Sequence, residues 1–170
     1  PDNPYAVSKV ASEMIAYQYY ISHNFHTIRA RPFTHVGSGQ DERFVCSEFS
    51  KKIASIEKNL ISNEIKVGDL SIQRDFLDVR DVVNAYELMI RKSDAGSVYN
   101  VCSNKGTSIG EILDILIGFS SKQIKITKDP QKFRENEANS IVGNNSKLKK
   151  ELNWEAKYKL EETLLEILNH

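Results

Sequence analysis

Apolar side chains recur at steps of three and four residues along much of the chain, a spacing that places them on one face of a helix. Two helix starts are also predicted, because Asp78 and the pair Ser108 and Glu111 occupy positions typical of N-terminal capping residues. The predicted helices lie at about 5–23 and 43–58, after Asp78, after Ser108, and at about 146–152 and 160–168. The helix after Asp78 is expected to bury Val82, Ala85, Tyr86, Met89 and Ile90.

Shorter apolar runs between these helices predict β-strands. Residues 34–42, with Gly37 and Gly39, have the composition of a loop, and residues 128–144 are polar and irregular. The alternation of strands and helices predicts an α/β fold with some parallel strand pairing. The predicted strands lie at about 26–33, 64–67, 71–76, 97–101 and 124–127.

Composition excludes several classes of protein. The 170 residues include 23 basic and 23 acidic side chains, and this balance argues against a general nucleic-acid-binding protein. Two cysteines are too few for a disulfide scaffold or a four-cysteine zinc site, and His35 has no partner at metal-ligand spacing. Because no apolar run reaches bilayer length and no secretory signal is present, we expect a cytoplasmic protein without a membrane or metal partner.

The first residues of the chain are unusual for a complete protein. The sequence begins Pro1-Asp2-Asn3-Pro4, without an initiator methionine, and it opens on a predicted helix. A parallel sheet normally begins with a strand. We therefore expect this chain to be a piece of a longer protein, with sequence missing upstream.

Tyr5 and Lys9 are the first candidates for chemistry. They are four residues apart in a predicted helix, so both side chains lie on the same face. An ammonium group close to a phenol favours the phenolate, which makes the tyrosine a better general acid and base. The alternative is that both side chains simply lie on an exposed first helical turn.

Arginines and a glycine-bearing loop form a second set of candidates. In α/β proteins, ligands bind beyond the carboxyl ends of the strands, where residues 34–42 are predicted to lie. Arg74 can bind a phosphate with two hydrogen bonds, although an ion pair with Asp75 or another acid is the alternative. Arg134 lies with Glu137 in the irregular segment, which is equally consistent with a solvated loop. No glycine-rich dinucleotide-binding motif and no Walker motif occurs in the sequence.

Taken in order, seven stretches resemble the C-terminal half of an extended short-chain dehydrogenase/reductase, in the subgroup of nucleotide-sugar epimerases, dehydratases and reductases. They cover nearly the whole chain, which makes their joint match specific. The stretches are NPYAVSK (3–9), RPFTHVGSGQ (31–40), RFVCSEFSKKIASIE (43–57), VGDLSIQRDFLDVRDVVNAY (67–86), VYNVCS (98–103), SIGEILDIL (108–116) and RENEANSIVGNNSKL (134–148).

This resemblance implies a role for the first candidates. Tyr5 would be the catalytic acid/base that protonates the C4 oxygen of the sugar as hydride arrives. Lys9 would stabilise the Tyr5 phenolate and donate a hydrogen bond to the nicotinamide ribose, so that both residues also bind the cofactor. The cofactor would be NAD or NADP, and its pyrophosphate-binding loop would lie upstream of this chain.

The resemblance also implies a set of substrate-binding residues. Thr34 stands where the family usually has an asparagine beside the diphosphate. Arg74 and Arg134 match arginines that bind the nucleotide diphosphate, and Glu137 matches an acid in the nucleoside pocket. Lys52, or its neighbour Lys51, would add a phosphate contact. Two departures from the family pattern are Glu135 in place of a proline and Asn144 in place of an aspartate.

The function implied by the resemblance is reduction of the 4-keto group of a GDP-4-keto-6-deoxy-sugar, in a longer enzyme that forms a homodimer. Dehydration of GDP-mannose and 4-epimerisation of a nucleotide sugar are alternatives, as is a truncated, non-catalytic fragment that binds a nucleotide sugar or a protein. The chain alone is expected to be inactive. Residues 1–33 and 77–103 would complete a Rossmann-like NAD(P)-binding domain, and residues 34–76 and 104–170 would form the substrate-binding domain.

Overall fold

The computed structural model describes residues 3–133 and 138–170, in which helices and short strands alternate. The helices are α1 (Pro4–His23), α2 (Val45–Glu57), α3 (Val79–Lys92), α4 (Ile109–Gly118), α5 (Ser146–Leu152) and α6 (Leu160–Leu168), with a 3₁₀ turn at Pro130–Lys132. The strands are β1 (Arg29–Pro32), β2 (Thr34–Val36), β3 (Glu64–Val67), β4 (Gln73–Arg74), β5 (Phe76–Asp78), β6 (Val98–Val101), β7 (Thr107–Ser108), β8 (Lys125–Lys128) and β9 (Ser140–Ile141).

The strands pair mainly in parallel, as the alternation of helices and strands predicts. Parallel pairs form between β1 and β6, β2 and β5, β3 and β8, and β4 and β9. Strand β4 also pairs with β7 in the antiparallel direction. Each parallel pair joins segments far apart in the sequence, because parallel strands need a long crossover connection.

Two local predictions from the sequence are wrong. The stretch 34–42 is not a loop throughout, because residues 34–36 form β2, which pairs with β5 from Phe76 to Asp78. The predicted strand 71–76 is instead divided into β4 and β5 at Asp75. Both errors arise because the partner strands lie tens of residues away, where short-range periodicity carries no information.

Capping residues fix where several helices begin. The Asp78 carboxylate accepts a hydrogen bond from the Arg80 backbone N–H at 2.7 Å, as predicted for an N-cap. Ser108 and Glu111 form the predicted capping box, in which each side chain accepts a hydrogen bond from the other residue's backbone N–H. These contacts satisfy amide donors that have no partner within the helix.

Two cores lie on opposite sides of β5. Phe76 belongs to the larger core, which helices α2, α4 and α6 enclose with β3. Its neighbour Leu77 belongs to a second core with β6, α3, α5 and the fully buried Trp154. Consecutive strand residues face opposite ways, so this single short strand supports both cores. The division into two domains at residues 33–34, 76–77 and 103–104 stays a prediction.

Helix α1 contacts the rest of the protein through partly buried side chains and hydrogen bonds. No residue within Pro4–His23 is buried. The Thr27 hydroxyl donates to the Ala16 carbonyl oxygen at 3.0 Å, and Gly96, at φ +78°, leaves room for Tyr20, whose ring lies 2.4 Å from where a Cβ would be. Helix α3 buries Val82, Ala85 and Met89 as predicted, whereas Tyr86 and Ile90 are exposed, contrary to the prediction.

Candidate active site

Two clefts meet beside β2 and β5. The first, which we call the tyrosine cleft, has a volume of about 890 Å³, and its lining includes Tyr5, Arg31, Thr34, His35, Phe44 and Arg74. The second, which we call the glutamate cleft, has a volume of about 520 Å³, and its lining includes Thr34, Phe44, Glu48, Gly68, Arg74 and Lys132. Both volumes are in the range of small-molecule binding sites.

The two clefts share a wall and so form one groove. Thr34, Phe44 and Arg74 line both of them. Of these two clefts, Tyr5 lines the tyrosine cleft alone and Glu48 lines the glutamate cleft alone. A ligand that fills the groove therefore has its ends near Tyr5 and Glu48, and its middle near Thr34 and Arg74.

Tyr5 lies on the first turn of α1, which Asn3 caps and Pro4 begins. The Asn3 side chain accepts a hydrogen bond from the Ala6 N–H at 2.8 Å, and a proline suits the first helical position because it lacks an N–H. The Tyr5 side chain is 71% exposed at the cleft, and the Lys9 ammonium lies 5.3 Å from the centre of its ring. The predicted proximity of these two side chains is confirmed.

Thr34 and Arg74 lie on neighbouring strands. Thr34 is the first residue of β2 and pairs with Phe76 of β5, two residues beyond Arg74. The Arg74 guanidinium donates to its neighbour's carbonyl oxygen at 2.7 Å and to the Ala138 carbonyl oxygen at 2.9 Å. These bonds tether the guanidinium to the segment that precedes β9, at the wall common to both clefts.

Asp75, next to Arg74 in the sequence, binds the loops that follow β6 and β9. This role was not predicted from the sequence. Its buried carboxylate accepts hydrogen bonds from the Ser103 backbone N–H at 2.6 Å, the Asn104 N–H at 3.0 Å and the Gly143 N–H at 3.1 Å. One side chain thus connects three segments of the chain beside Arg74. The available signal was an acid directly before the apolar pair Phe76 and Leu77, because a carboxylate in such a strand is costly to bury without hydrogen-bond donors.

Lys52 lies on α2, outside the lining of both clefts. Its ammonium donates to Glu48 Oε1 at 2.5 Å, and the Lys132 ammonium donates to the same oxygen at 2.6 Å. Burial acts to raise the pKa of the Glu48 carboxyl, but the hydrogen bonds from the two lysines outweigh it and hold that pKa below its ordinary value. The hydrogen bond to Glu48 likewise raises the pKa of Lys132. Neither Glu48 nor Lys132 was a candidate from the sequence.

Two other candidates, Arg134 and Glu137, lie outside the described residues. Within residues 3–133 and 138–170, no cluster of three His, Cys, Asp or Glu side chains is arranged to hold a metal ion. In the same residues, no helix is both long and apolar enough to cross a bilayer.

Comparison with known proteins identifies the family to which the chain belongs. A protein-family model described as GDP-mannose 4,6 dehydratase matches residues 1–167. The chain belongs to the GDP-mannose 4,6-dehydratase family. It is similar to a GDP-6-deoxy-D-mannose reductase from Pseudomonas aeruginosa, with 36% identity over 169 residues that cover 99% of this chain and 56% of that protein.

Solved structures agree with this family and fold. The chain superposes with a TM-score of 0.94 and 36% identity on the structure of RMD from Pseudomonas aeruginosa complexed with NADPH, covering 99% of this chain and 56% of that one. It superposes with a TM-score of 0.83 and 25% identity on a UDP-glucose 4-epimerase with UDP-glucose from Thermotoga maritima, covering 99% of this chain and 53% of that one. The predicted Rossmann-like α/β class and the family resemblance are therefore confirmed.

The family members that the chain matches are longer than it is. The chain spans about half the length of these relatives. The comparisons assign no role to individual side chains, so the roles of Tyr5, Lys9, Thr34, Lys52 and Arg74 stay predictions.

Proposed function

We propose that the protein reduces the 4-keto group of a GDP-4-keto-6-deoxy-sugar and uses NADPH or NADH as the reductant. The observation that carries this proposal is that Tyr5, Thr34 and Arg74 line one cleft, although they are far apart in the sequence. An acid beside the reacting carbonyl and a cation beside a diphosphate are the groups that this reaction needs. The similarity to a GDP-6-deoxy-D-mannose reductase supports the choice of reaction.

The side chains that line the groove would have different roles in this reaction. Tyr5 would donate its phenolic proton to the C4 oxygen, so that the carbonyl becomes an alcohol and the tyrosine becomes a phenolate. The Lys9 ammonium would stabilise that phenolate before water returns the proton. Arg74 and Thr34 would bind the diphosphate and so fix the distance between the nucleotide and the C4 carbon.

The first turns of α1 fit a nicotinamide cofactor. When bound, the reduced nicotinamide would supply the hydride that adds to C4. In the described part of the chain, no acid pairs with the Lys9 ammonium, which leaves its N–H donors for ribose hydroxyl groups. The exposed Tyr5 hydroxyl is accessible from the same side of the helix. The NADPH complex of the similar Pseudomonas aeruginosa structure supports this assignment.

We propose further that the complete enzyme is a cytoplasmic homodimer with the two domains predicted from the sequence. The exposed Val7, Val10 and Met14 of α1 support an interface on that helix. The free cysteines Cys46 and Cys102 are compatible with a reducing compartment. Light scattering on the protein expressed from the complete reading frame should give twice the monomer mass, and a monomer mass would contradict the dimer.

The test of the function uses the same complete protein. We expect consumption of NADPH or NADH when GDP-4-keto-6-deoxymannose is added, and a loss of roughly 100-fold or more in kcat for Tyr5→Phe. Tyr19→Phe is the matched control, because Tyr19 is also exposed on α1 but stacks on Phe25 and lines neither cleft. Unchanged turnover by Tyr5→Phe would refute the role of Tyr5 as the acid.

Dehydration of GDP-mannose is a second candidate reaction, because the matching family model is described as a GDP-mannose 4,6 dehydratase. Incubation with GDP-mannose distinguishes the two reactions. A dehydratase would form the 4-keto-6-deoxy product with no net consumption of NADPH, whereas the proposed reductase would leave GDP-mannose unchanged.

A further inference from the structure

The groove is lined by elements of both cores. Asn100 of β6 lines the tyrosine cleft, and its neighbours Tyr99 and Val101 are buried in the second core. Val45 and Cys46 of α2 line the same cleft, and Cys46 is buried in the larger core. The orientation of the two cores relative to each other therefore affects the shape of the groove.

A polar cluster joins the two cores where β5 ends and α3 begins. The buried Asp78 carboxylate accepts hydrogen bonds from Arg80 Nη2 at 2.7 Å and from the Thr163 hydroxyl at 2.6 Å. Arg80 Nη2 also lies 3.0 Å from Glu166 Oε2. Asp78 caps α3, which packs in the second core, whereas Thr163 and Glu166 lie on α6, which packs in the larger core. We call these four residues the Arg80 junction.

The segment that connects α5 to α6 passes over the same place. Trp154, fully buried in the second core, donates from Nε1 to the Asp81 carbonyl oxygen at 3.2 Å. The Asp81 carboxylate accepts hydrogen bonds from the backbone N–H groups of Lys157 at 3.0 Å and Tyr158 at 3.2 Å. The guanidinium carbon of Arg80 lies 3.8 Å from the centre of the Tyr158 ring. The first turn of α3 thus fixes the path by which the chain passes from the second core to the larger one.

The Arg80 junction is also connected to the wall of the groove. Asp78 pairs with Val36 at the end of β2, and Thr34 at the start of that strand lines both clefts. The next residue, Gly37, packs on the first residue of α3, because a Cβ at Gly37 would lie 2.6 Å from Val79 Cγ1. Closely packed groups transmit displacement to one another, so a change in the direction of α3 moves the end of β2 and the loop after it.

We propose that Arg80 is a positioning residue, which binds Asp78 and α6 and so fixes the angle between the two cores and the width of the groove. The inference rests on the proposed function, because it takes the groove as the place where the sugar nucleotide meets Tyr5. A guanidinium suits this role, since its planar fork binds carboxylates in fixed directions while its face stacks on an aromatic ring. Burial acts to raise the pKa of Asp78, but hydrogen bonds from Arg80 and Thr163 outweigh it and hold that pKa below its ordinary value, which keeps the carboxylate charged near neutral pH.

Steady-state kinetics on the protein from the complete reading frame test this role. Arg80→Met keeps an apolar stem but removes the guanidinium, and it should raise the KM for GDP-4-keto-6-deoxymannose roughly 5- to 10-fold, because the substrate no longer spans the groove in its productive position. The KM for NADPH should stay within about 2-fold, because Tyr5 and Lys9 on α1 lie outside the junction. A merely structural role would lower kcat through loss of folded enzyme and leave both KM values unchanged, and that result would overturn the inference.

Two further variants complete the kinetic test. Arg91→Met is the matched control, because Arg91 lies on the same helix and forms an exposed pair with Glu87; it should change neither KM. Thr163→Val keeps the shape of the side chain and removes the hydroxyl that donates to Asp78, so it should raise the KM for the sugar nucleotide in the same direction by a smaller factor. If Arg80→Met does not fold, Thr163→Val decides, and an unchanged KM in that variant would overturn the inference.

A distance measurement separates the inference from the proposed function, because it needs no turnover. Spin labels attached after Lys92→Cys on α3 and Asp114→Cys on α4 report on the two cores, since both positions are exposed whereas Cys46 and Cys102 are buried. Pulsed electron spin resonance should give a broader distribution of distances in Arg80→Met than in the labelled protein without that substitution. Equal distributions would overturn the inference even if the enzyme reduces the sugar. A broader distribution in a protein that does not reduce the sugar would support the inference and contradict the proposed function.

Discussion

Glu13 on α1 and Arg31 on β1 form an ion pair with two hydrogen bonds, at 2.9 Å from Nε and 2.5 Å from Nη2 of the arginine. This contact joins the helix that carries Tyr5 to a strand whose Arg31 lines the tyrosine cleft. Because α1 has no buried residue, we expect polar contacts of this kind to contribute to its orientation relative to the cleft.

We expect Glu13→Gln to lower kcat while leaving the KM for the sugar nucleotide within about 2-fold, because the variant weakens the bond that orients Tyr5 but touches no diphosphate contact. A fall of roughly 3- to 10-fold in kcat corresponds to a small misalignment of the acid. Steady-state kinetics measure it. Glu87→Gln is the control, because Glu87 makes an exposed pair with Arg91 on α3; equal effects of the two substitutions would contradict the prediction.

The same ion pair should make stability depend on pH. The hydrogen bond from Arg31 holds the pKa of Glu13 below its ordinary value of 4.5. A lowered pKa in the folded state stabilises the fold above the unfolded-state pKa, and this stabilisation is lost as the pH falls through the lower, folded-state value. Urea unfolding between pH 7 and pH 3 should therefore show a smaller loss of stability for Glu13→Gln than for the unmodified protein, and parallel losses would refute the assignment.

Ser108→Ala should destabilise the fold by about 1 kcal/mol, because it removes the oxygen that accepts the Glu111 N–H hydrogen bond at 3.0 Å. Ser55→Ala is the matched control, since the Ser55 hydroxyl only donates to a carbonyl oxygen one turn earlier within α2. Its effect should stay within about 0.5 kcal/mol. Urea unfolding measures both, and equal destabilisation by the two substitutions would argue against the importance of the cap.

Asp75→Asn should destabilise the protein by about 2 kcal/mol and raise the KM for the nucleotide sugar. The amide nitrogen would face backbone N–H donors at Ser103, Asn104 or Gly143, which leaves buried groups unpaired beside Arg74. Thermal unfolding and kinetics measure the two effects. Asp114→Asn on the exposed face of α4 should change neither quantity.

Gly68→Ala should destabilise the protein by about 1 to 3 kcal/mol, because the added methyl group collides with the Lys132 backbone and cannot be accommodated by a side-chain rotation. It should also weaken nucleotide binding by displacing the Lys132 ammonium. Gly118→Ala is the matched control, since nothing lies within 4 Å of a Cβ at that position. If the two substitutions change the thermal unfolding of the protein equally, the close approach of the Lys132 backbone to Gly68 does not constrain the residue at position 68.

The helices could be predicted from the sequence because their signals are local. Capping residues such as Asp78 and Ser108 act within three residues, and apolar periodicity acts within one or two turns. The groove is different, since β2 pairs with β5 and thereby brings Thr34 close to Arg74. Family resemblance supplied that grouping from the sequence, whereas residue patterns alone left it open.

Glu48 and Lys132 show what the sequence could not reveal. They are 84 positions apart and meet only because β3 pairs with β8 and the following turn packs on Gly68. Lys132 lies in none of the stretches that carry the family resemblance. Glu48 lies within the stretch 43–57, but a glutamate on a predicted amphipathic helix usually faces solvent. Only the three-dimensional contact distinguishes this pair from the surface ion pairs around it.

The parallel strand pairs also determine the order in which the chain can assemble. Strand β1 has to pair with β6, and 69 residues separate Arg29 from Val98. At synthesis rates of about 5–20 residues per second, β1 leaves the ribosome roughly 3 to 14 s before its partner exists. During that interval the backbone N–H and C=O groups of β1 lack their β6 partner, so we expect unwanted pairing with another chain to occur most readily between the synthesis of β1 and that of β6.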